Sequence, residues 1–249
     1  MPLHNKSFAL PTNSFPVSFF DVLFVDNELT TIDSFAFAAM PTLNTLNLGN
    51  SGIVTIEHSA FMGLRNMDLL SLERNRLDDI KINAFKNVSS IQTVNFNALT
   101  GSRLRSYTLQ GLSDIQLISF THSKLTKIEP YAFYGVNNVT TINFHSSELK
   151  TIMPNAFVGI GKVKDIRLRN TQISTIRCGV LEGLDCVASV NWGGSPFRCD
   201  CNLQWMVELS VNVSRDKTKE LRCASPYAYK NMSPFDFEKT TMSCNDQEM

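Results

Sequence analysis

One spacing limits what this chain can fold into. Apolar residues fall at Leu43, Leu46, Leu48, Ile53, Ile56, Phe61 and Leu64, and the frame returns every 24 residues. The next unit reads Met67, Leu70, Leu72, Leu77, Ile80, Phe85 and Val88, and the unit from Ile115 reads Ile118, Phe120, Leu125, Ile128, Phe133 and Val136. Counted from Phe19, seven full units end at Cys186, and an eighth starts at Val187 and dissolves after Trp192. No insertion shifts the phase. A fixed period of this length marks a repeat architecture: each unit is too small to bury its own apolar side and must stack on its neighbours.

Within a unit, positions 4 and 6 are apolar and alternate with polar residues, which is a short strand with one buried face. Stacked in parallel about 4.8 Å apart, eight such strands would share one core and span roughly 35–40 Å. Position 19 is phenylalanine in Phe37, Phe61, Phe85, Phe133 and Phe157, which predicts an internal column on the convex side. The unit 91–114 has Leu109 there instead and predicts a local irregularity.

The frame resembles the leucine-rich repeat, LxxLxLxxNxLxxIxxxxFxxL, over about residues 19–195. The resemblance implies an α/β solenoid, a curved array with a parallel β-sheet on its concave face, here over residues 19–194. It also gives position 9 a role, because such repeats keep an inward asparagine there whose amide satisfies buried backbone groups of adjacent turns. Here position 9 reads Asn27, Ser51, Asn75, Leu99, Ser123, Ser147, Thr171 and Ser195. Serine and threonine can do part of this task with shorter reach; Leu99 cannot.

Past Trp192 comes SPFRCDCNLQW, with Cys199 and Cys201 one residue apart, followed by Cys223 and Cys244. This is similar to the cysteine-rich C-terminal cap of extracellular leucine-rich-repeat proteins, a lid on the exposed end of an open stack. The resemblance implies a cap over residues 195–249, with an amphipathic helix containing Leu203 and Trp205 and bridges Cys199–Cys223 and Cys201–Cys244. Four thiolates around zinc are the alternative, at a spacing unusual for that metal. Cys178 and Cys186, on the convex side of the last full unit, read either as a bridge Cys178–Cys186 or as two buried free thiols. Residues 1–18 carry no cysteine, and Phe8, Leu10 and Phe15 are available there to cover the first unit. Either this N-terminal cap works without disulfides or an upstream part is missing.

A local disulfide cap implies an oxidising compartment, hence a secreted protein or the extracellular side of the cell surface. Sequons at Asn5, Asn87, Asn138, Asn212 and Asn231 are compatible with that setting, although the content of Asn, Ser and Thr produces nearly as many by chance. Glycans there would mark faces that bind no partner. The N-terminus MPLHNKSFAL has no apolar signal core, so an exported form would be a mature or trimmed one. No apolar stretch approaches the roughly 18–20 residues that span a bilayer, so no direct membrane insertion is expected. With 23 basic and 23 acidic residues and no Lys/Arg run, the chain lacks the electrostatic footprint of a nucleic-acid or anionic-membrane binder. It has no GxSxG, HExxH, phosphate-loop or dinucleotide motif, so the expectation is no catalytic residue, no cofactor and no metal.

What remains is the surface made by positions 2, 3, 5, 7 and 8, which point away from the core on the concave side. Position 5 reads Leu23, Asn47, Ser71, Asn95, Ser119, Asn143, Arg167 and Asn191, and position 7 reads Val25, Gly49, Glu73, Asn97, Thr121, His145, Arg169 and Gly193. The face is polar and poor in the Trp and Tyr that anchor tight interfaces. Its charged points are Glu73, Arg74, Arg167 and Arg169. Arg167 and Arg169, two residues apart on one face, are the leading contact candidates, while Glu73 reads as an ordinary solvated charge. His122 and His145 read first as solvated residues, with a pH-sensitive or metal-holding pair as the alternative. Trp192 occupies a core position. Tyr227, Tyr229, Phe235 and Phe237 either pack on the last unit or protrude.

Extracellular relatives of this pattern include Toll-like receptors, Slit-type guidance proteins, adhesion molecules and the variable lymphocyte receptors of jawless fish. They imply an extracellular recognition module, in a receptor or secreted binding protein, that takes a macromolecular and most naturally a protein ligand. An immune role is one of those the family covers. The alternative is a structural or homophilic adhesion protein that self-associates, for instance as a homodimer.

Overall fold

The computed structural model describes residues 7–8, 21–38, 40, 43–180, 182–200, 203 and 220–236. Its main sheet has eight parallel strands: β2 (Asp21–Leu23), β4 (Thr45–Asn47), β6 (Arg65–Ser71), β8 (Val88–Asn95), β10 (Leu112–Ser119), β12 (Asn137–Asn143), β14 (Val163–Arg167) and β15 (Val187–Asn191). They lie in chain order, so each turn of the solenoid adds one strand. The register is the sequence period itself: Val22 pairs with Leu46, Leu46 with Leu70, Leu70 with Val94, and so on to Val190.

The return path is built from turns and, in every unit before the last full one, a two-residue strand; the last full unit has a 3-10 turn at Leu184–Cys186 instead, and no α-helix occurs among the described residues. The backbone explains why. Position 8 takes a left-handed conformation in every unit described (Asp26, Asn50, Arg74, Ala98, His122, Ser146, Asn170, Gly194), and so does position 17 (Phe35, Ser59, Asn83, Tyr107, Tyr131, Asn155, Gly179). A residue at positive φ stops a right-handed helix. The short strands pair across the convex side as β1 (Ser7–Phe8), β3 (Thr31–Ile32), β5 (Thr55–Ile56) and β7 (Asp79–Ile80), then separately as β9 (Arg103–Leu104), β11 (Lys127–Ile128) and β13 (Thr151–Ile152). Ser7–Phe8 thus extend the convex ladder by one strand. Leu10 and Phe15 lie outside the described residues.

The expected phenylalanine column is present but takes a detour. Phe37, Phe61 and Phe85 stack at 5.6 and 5.4 Å. Where Leu109 interrupts, Phe85 meets Phe96 edge-on at 6.0 Å, and the stack moves to position 6 through Phe96, Phe120 and Phe144 at 4.9 and 4.8 Å. Phe144 then meets Phe133 edge-on, and Phe133 stacks on Phe157.

The same unit breaks the convex ladder, between β7 and β9. Its position 11 is Gly101, where other units have an apolar side chain such as Ile53 or Leu125. Leu99, two residues earlier, fills that role and is buried. Gly101 presses so closely on the backbone that an added Cβ would lie 2.0 Å from the Arg76 carbonyl oxygen. A void of about 10 Å³, near the size that holds one water, remains among Leu77, Phe96, Leu99, Leu104 and Leu109.

Position 9 forms the polar spine. Asn75 is fully buried; its Oδ1 accepts from the amides of Ser51 (3.1 Å) and Ile53 (3.0 Å), and its Nδ2 donates to the carbonyls of Leu48 (2.8 Å) and Leu72 (3.0 Å). The hydroxyls of Ser51, Ser123 and Ser195 reach back a turn to the carbonyls of Phe24, Phe96 and Leu168. That of Ser147 stays within its own turn, on Phe144, while that of Thr171 bonds the Leu168 carbonyl in its own turn and also pairs with the Ser195 hydroxyl of the next at 2.8 Å.

At the C-terminal end, Cys199 is bonded to Cys223, both buried, so four thiolates around zinc do not occur. Trp192 is fully buried and meets Phe197 edge-on at 6.1 Å, and Leu203 and Leu221 are buried in the same core. Phe197–Arg198 (β16) pairs with Cys223–Ser225 (β17). Tyr229 packs against the core, whereas Tyr227 protrudes at 90% exposure. The Cys201–Cys244 bridge, Trp205 and its helix, Phe237 and the side chain of Phe235 lie outside the described residues. Cys178 and Cys186 correct the sequence reading: they are free and exposed, neither bridged nor buried. Between them Val180 and Leu184 are buried in the core, while the two thiols face outward.

Candidate recognition surface

The concave sheet is more organised than its composition suggests. At position 5, Asn47, Asn95, Asn143 and Asn191 each turn the side-chain oxygen onto the amide two residues on, at Gly49 (3.0 Å), Asn97 (2.9 Å), His145 (3.0 Å) and Gly193 (3.0 Å). These are Asx turns that bend the chain out of the strand. The asparagine oxygens are therefore committed, and the amide nitrogens are what the row can offer a ligand. The recurring Asn at this one position carried the signal.

Arg167 and Arg169 both lie on this face with half-exposed side chains, and each has an acidic partner. Arg167 Nε donates to Asp165 Oδ2 at 2.6 Å, and Asp165 Oδ1 accepts from the Ser189 hydroxyl at 2.6 Å. These residues edge a shallow hollow of about 390 Å³ with Thr140, Thr141, Lys164 and Asn191. Arg169 lies 3.5 Å from Glu220, which comes from the cap. A Cβ on Gly193 would collide with Glu220 Oε2 at 2.4 Å, so the glycine is what lets the cap residue reach over the face.

Glu73 is not an isolated solvated charge. Asn95 Nδ2 donates to its Oε2 at 3.0 Å, and its chain lies against Gly49. Between the rows of Asn47 and Asn95, Ser71 is buried and its hydroxyl has no partner among the described residues. Arg74 and His122 occupy position 8, the left-handed turn after the strand, and are exposed there beyond the sheet. The amide of His122 donates to the carbonyl of His145 at 3.3 Å, so the two residues are neighbours through the backbone. Among the described residues no three His, Cys, Asp or Glu side chains converge on a metal position. On the convex side, a hydrogen bond from Lys81 to Asp79, and the charge of that carboxylate, hold the ammonium above its ordinary pKa.

The family model for the leucine-rich repeat matches residues 23–77 and 113–173. The chain carries leucine-rich repeats in both segments. The unmatched stretch between those segments contains the unit with Leu99, Gly101 and Leu109. Among solved structures, human 5T4 (Wnt-activated inhibitory factor 1, trophoblast glycoprotein) shares the fold, with a TM-score of 0.57 at 19% identity over 95% of this chain and 91% of that one. A chain in the octameric complex of latrophilin 3, Unc5D and FLRT2 is a more distant likeness, with a TM-score of 0.45 at 13% identity over 92% of each chain. No curated protein matches the chain in sequence. Among the described residues, no helix is long and apolar enough to cross a membrane.

Proposed function

We propose that this leucine-rich-repeat chain is an extracellular, non-catalytic recognition module that binds a protein ligand through its concave face, around Arg167 and Arg169. The observation that carries the reading is the hollow edged by Lys164, Asp165, Arg167 and Asn191, where guanidinium, carboxylate and amide groups sit on one rigid sheet. A preformed surface binds with little ordering cost. A carboxylate on the ligand would compete with Asp165 or Glu220 for an arginine that is already oriented. The buried Cys199–Cys223 bridge supports an oxidising compartment.

Asn87, Asn138 and Asn231 are exposed, and we assign them as glycan acceptors there. Asn87 and Asn138 stand just before or at the start of a strand, at the opposite edge of the sheet from the Asx turns, so glycans on them would leave the arginine face open. Asn5 and Asn212 are sequons outside the described residues.

Capture of partners from a library of extracellular proteins tests the reading. The wild type should retain a partner that Arg167→Glu/Arg169→Glu loses at least tenfold, while Lys81→Glu on the convex side retains it. Equal capture by the double variant would overturn the assignment.

A further inference from the structure

We propose that the last full turn is a covalent contact between two copies of this chain, joined through Cys178 and Cys186. The inference rests on the oxidising setting proposed above. Both thiols are exposed and unbonded, while Val180 and Leu184 between them are buried in the core. Gly183 is wedged as well, since a Cβ there would lie 2.4 Å from the Phe157 carbonyl oxygen. In a compartment where exposed thiols are oxidised, the sulfurs must find partners elsewhere.

The charges on this turn fit a second copy. Arg177 precedes Cys178, and the Glu182 carboxylate folds back over Gly179 on its other side. Both are exposed, and among the described residues neither has an ion-pair partner. A two-fold axis sets a patch against itself, so a patch with one arginine and one glutamate flanking a thiol offers each copy's cation the other's anion. The contact lies off the concave sheet and would leave two recognition faces free, giving a bivalent binder.

The chemistry is thiol–disulfide exchange with a low-molecular-weight disulfide such as oxidised glutathione. A cysteine thiolate of one copy attacks it, forming a mixed disulfide and releasing one thiolate. A cysteine thiolate of the second copy then displaces the remaining thiolate and forms the interchain bond. Each bridge consumes one small disulfide, releases two small thiols, and passes the two cysteine protons to them.

The test mixes ¹⁴N- and ¹⁵N-labelled full-length chain in a glutathione redox buffer, followed by non-reducing electrophoresis and peptide mapping. The expected result is a dimer that reductant dissolves, with mixed-isotope peptides joined through Cys178 or Cys186. Cys178→Ser/Cys186→Ser should remain monomeric. Arg177→Glu should slow dimer formation several-fold, and the charge swap Arg177→Glu/Glu182→Arg should restore it. Single-isotope Cys178–Cys186 peptides, thiols that stay alkylatable, stable glutathione adducts, or a dimer unchanged in the double cysteine variant would each overturn the proposal. A rate indifferent to Arg177→Glu would overturn its charge pairing.

Discussion

Replacing Asn75 by alanine should cost far more than replacing any other residue of the polar spine. Asn75 is fully buried and its amide serves two neighbouring turns at once. Alanine strips the acceptor from two buried amides, Ser51 and Ile53, and the donor from the Leu48 carbonyl a turn away. A buried group left unsatisfied costs about 1–3 kcal/mol. Three such groups, partly relieved by one water in the vacated space, give an expected loss of about 3–5 kcal/mol. Ser147→Ala deletes a single donated bond within one turn and should cost about 1 kcal/mol. Urea unfolding compares the two variants, and amide exchange localises the damage, with Ser51 and Ile53 losing protection first. If Asn75→Ala matches Ser147→Ala, or if those two amides exchange as slowly as before, the spine does not hold the turns as described.

Four further outcomes follow from the packing. Leu109→Phe restores the residue the repeat pattern favours, yet Phe96 and Phe120 already occupy the space and the remaining void is about 10 Å³; overpacking should lower stability by about 1–3 kcal/mol in the same unfolding assay. Gly101→Ala should be at least as costly, because its Cβ meets a backbone oxygen that no side-chain rotation can move. Phe35→Asn should raise stability by about 1 kcal/mol, read as a higher thermal midpoint, because Phe35 is 55% exposed and sits at φ 61° where other units use Asn83 and Asn155. Cys199→Ser opens a loop with a sequence separation of 24 and should cost roughly 3 kcal/mol in the chain-entropy account, seen as a lower urea midpoint.

Most of the fold was legible because a constant period fixes register: once Leu46 and Leu70 are equivalent in sequence, parallel stacking makes them neighbours in space. The irregular unit was visible too, through Leu99 and Leu109. The detour of the aromatic stack was not read, since it depends on which ring fills the gap left by Leu109 once the turns are packed. The Arg167–Asp165 pair had a local signal, two opposite charges at spacing two on one strand face. The Arg169–Glu220 pair had none, because Glu220 arrives from a cap 51 positions later. Cys178 and Cys186 were misread because an even cysteine count and proximity in sequence do not say which way a side chain faces; Val180 and Leu184 take the core positions of this turn and the thiols face out.

The central functional claim is that the ordered concave sheet, and not the convex turns, meets the partner. Hydrogen exchange with and without a captured partner tests it most directly. Exchange should slow around the Asx turns and strands of the later units, at residues 141–145, 165–169 and 189–193, with the convex residues 79–80, 103–104 and 127–128 unchanged. Slowing confined to the convex residues would contradict it.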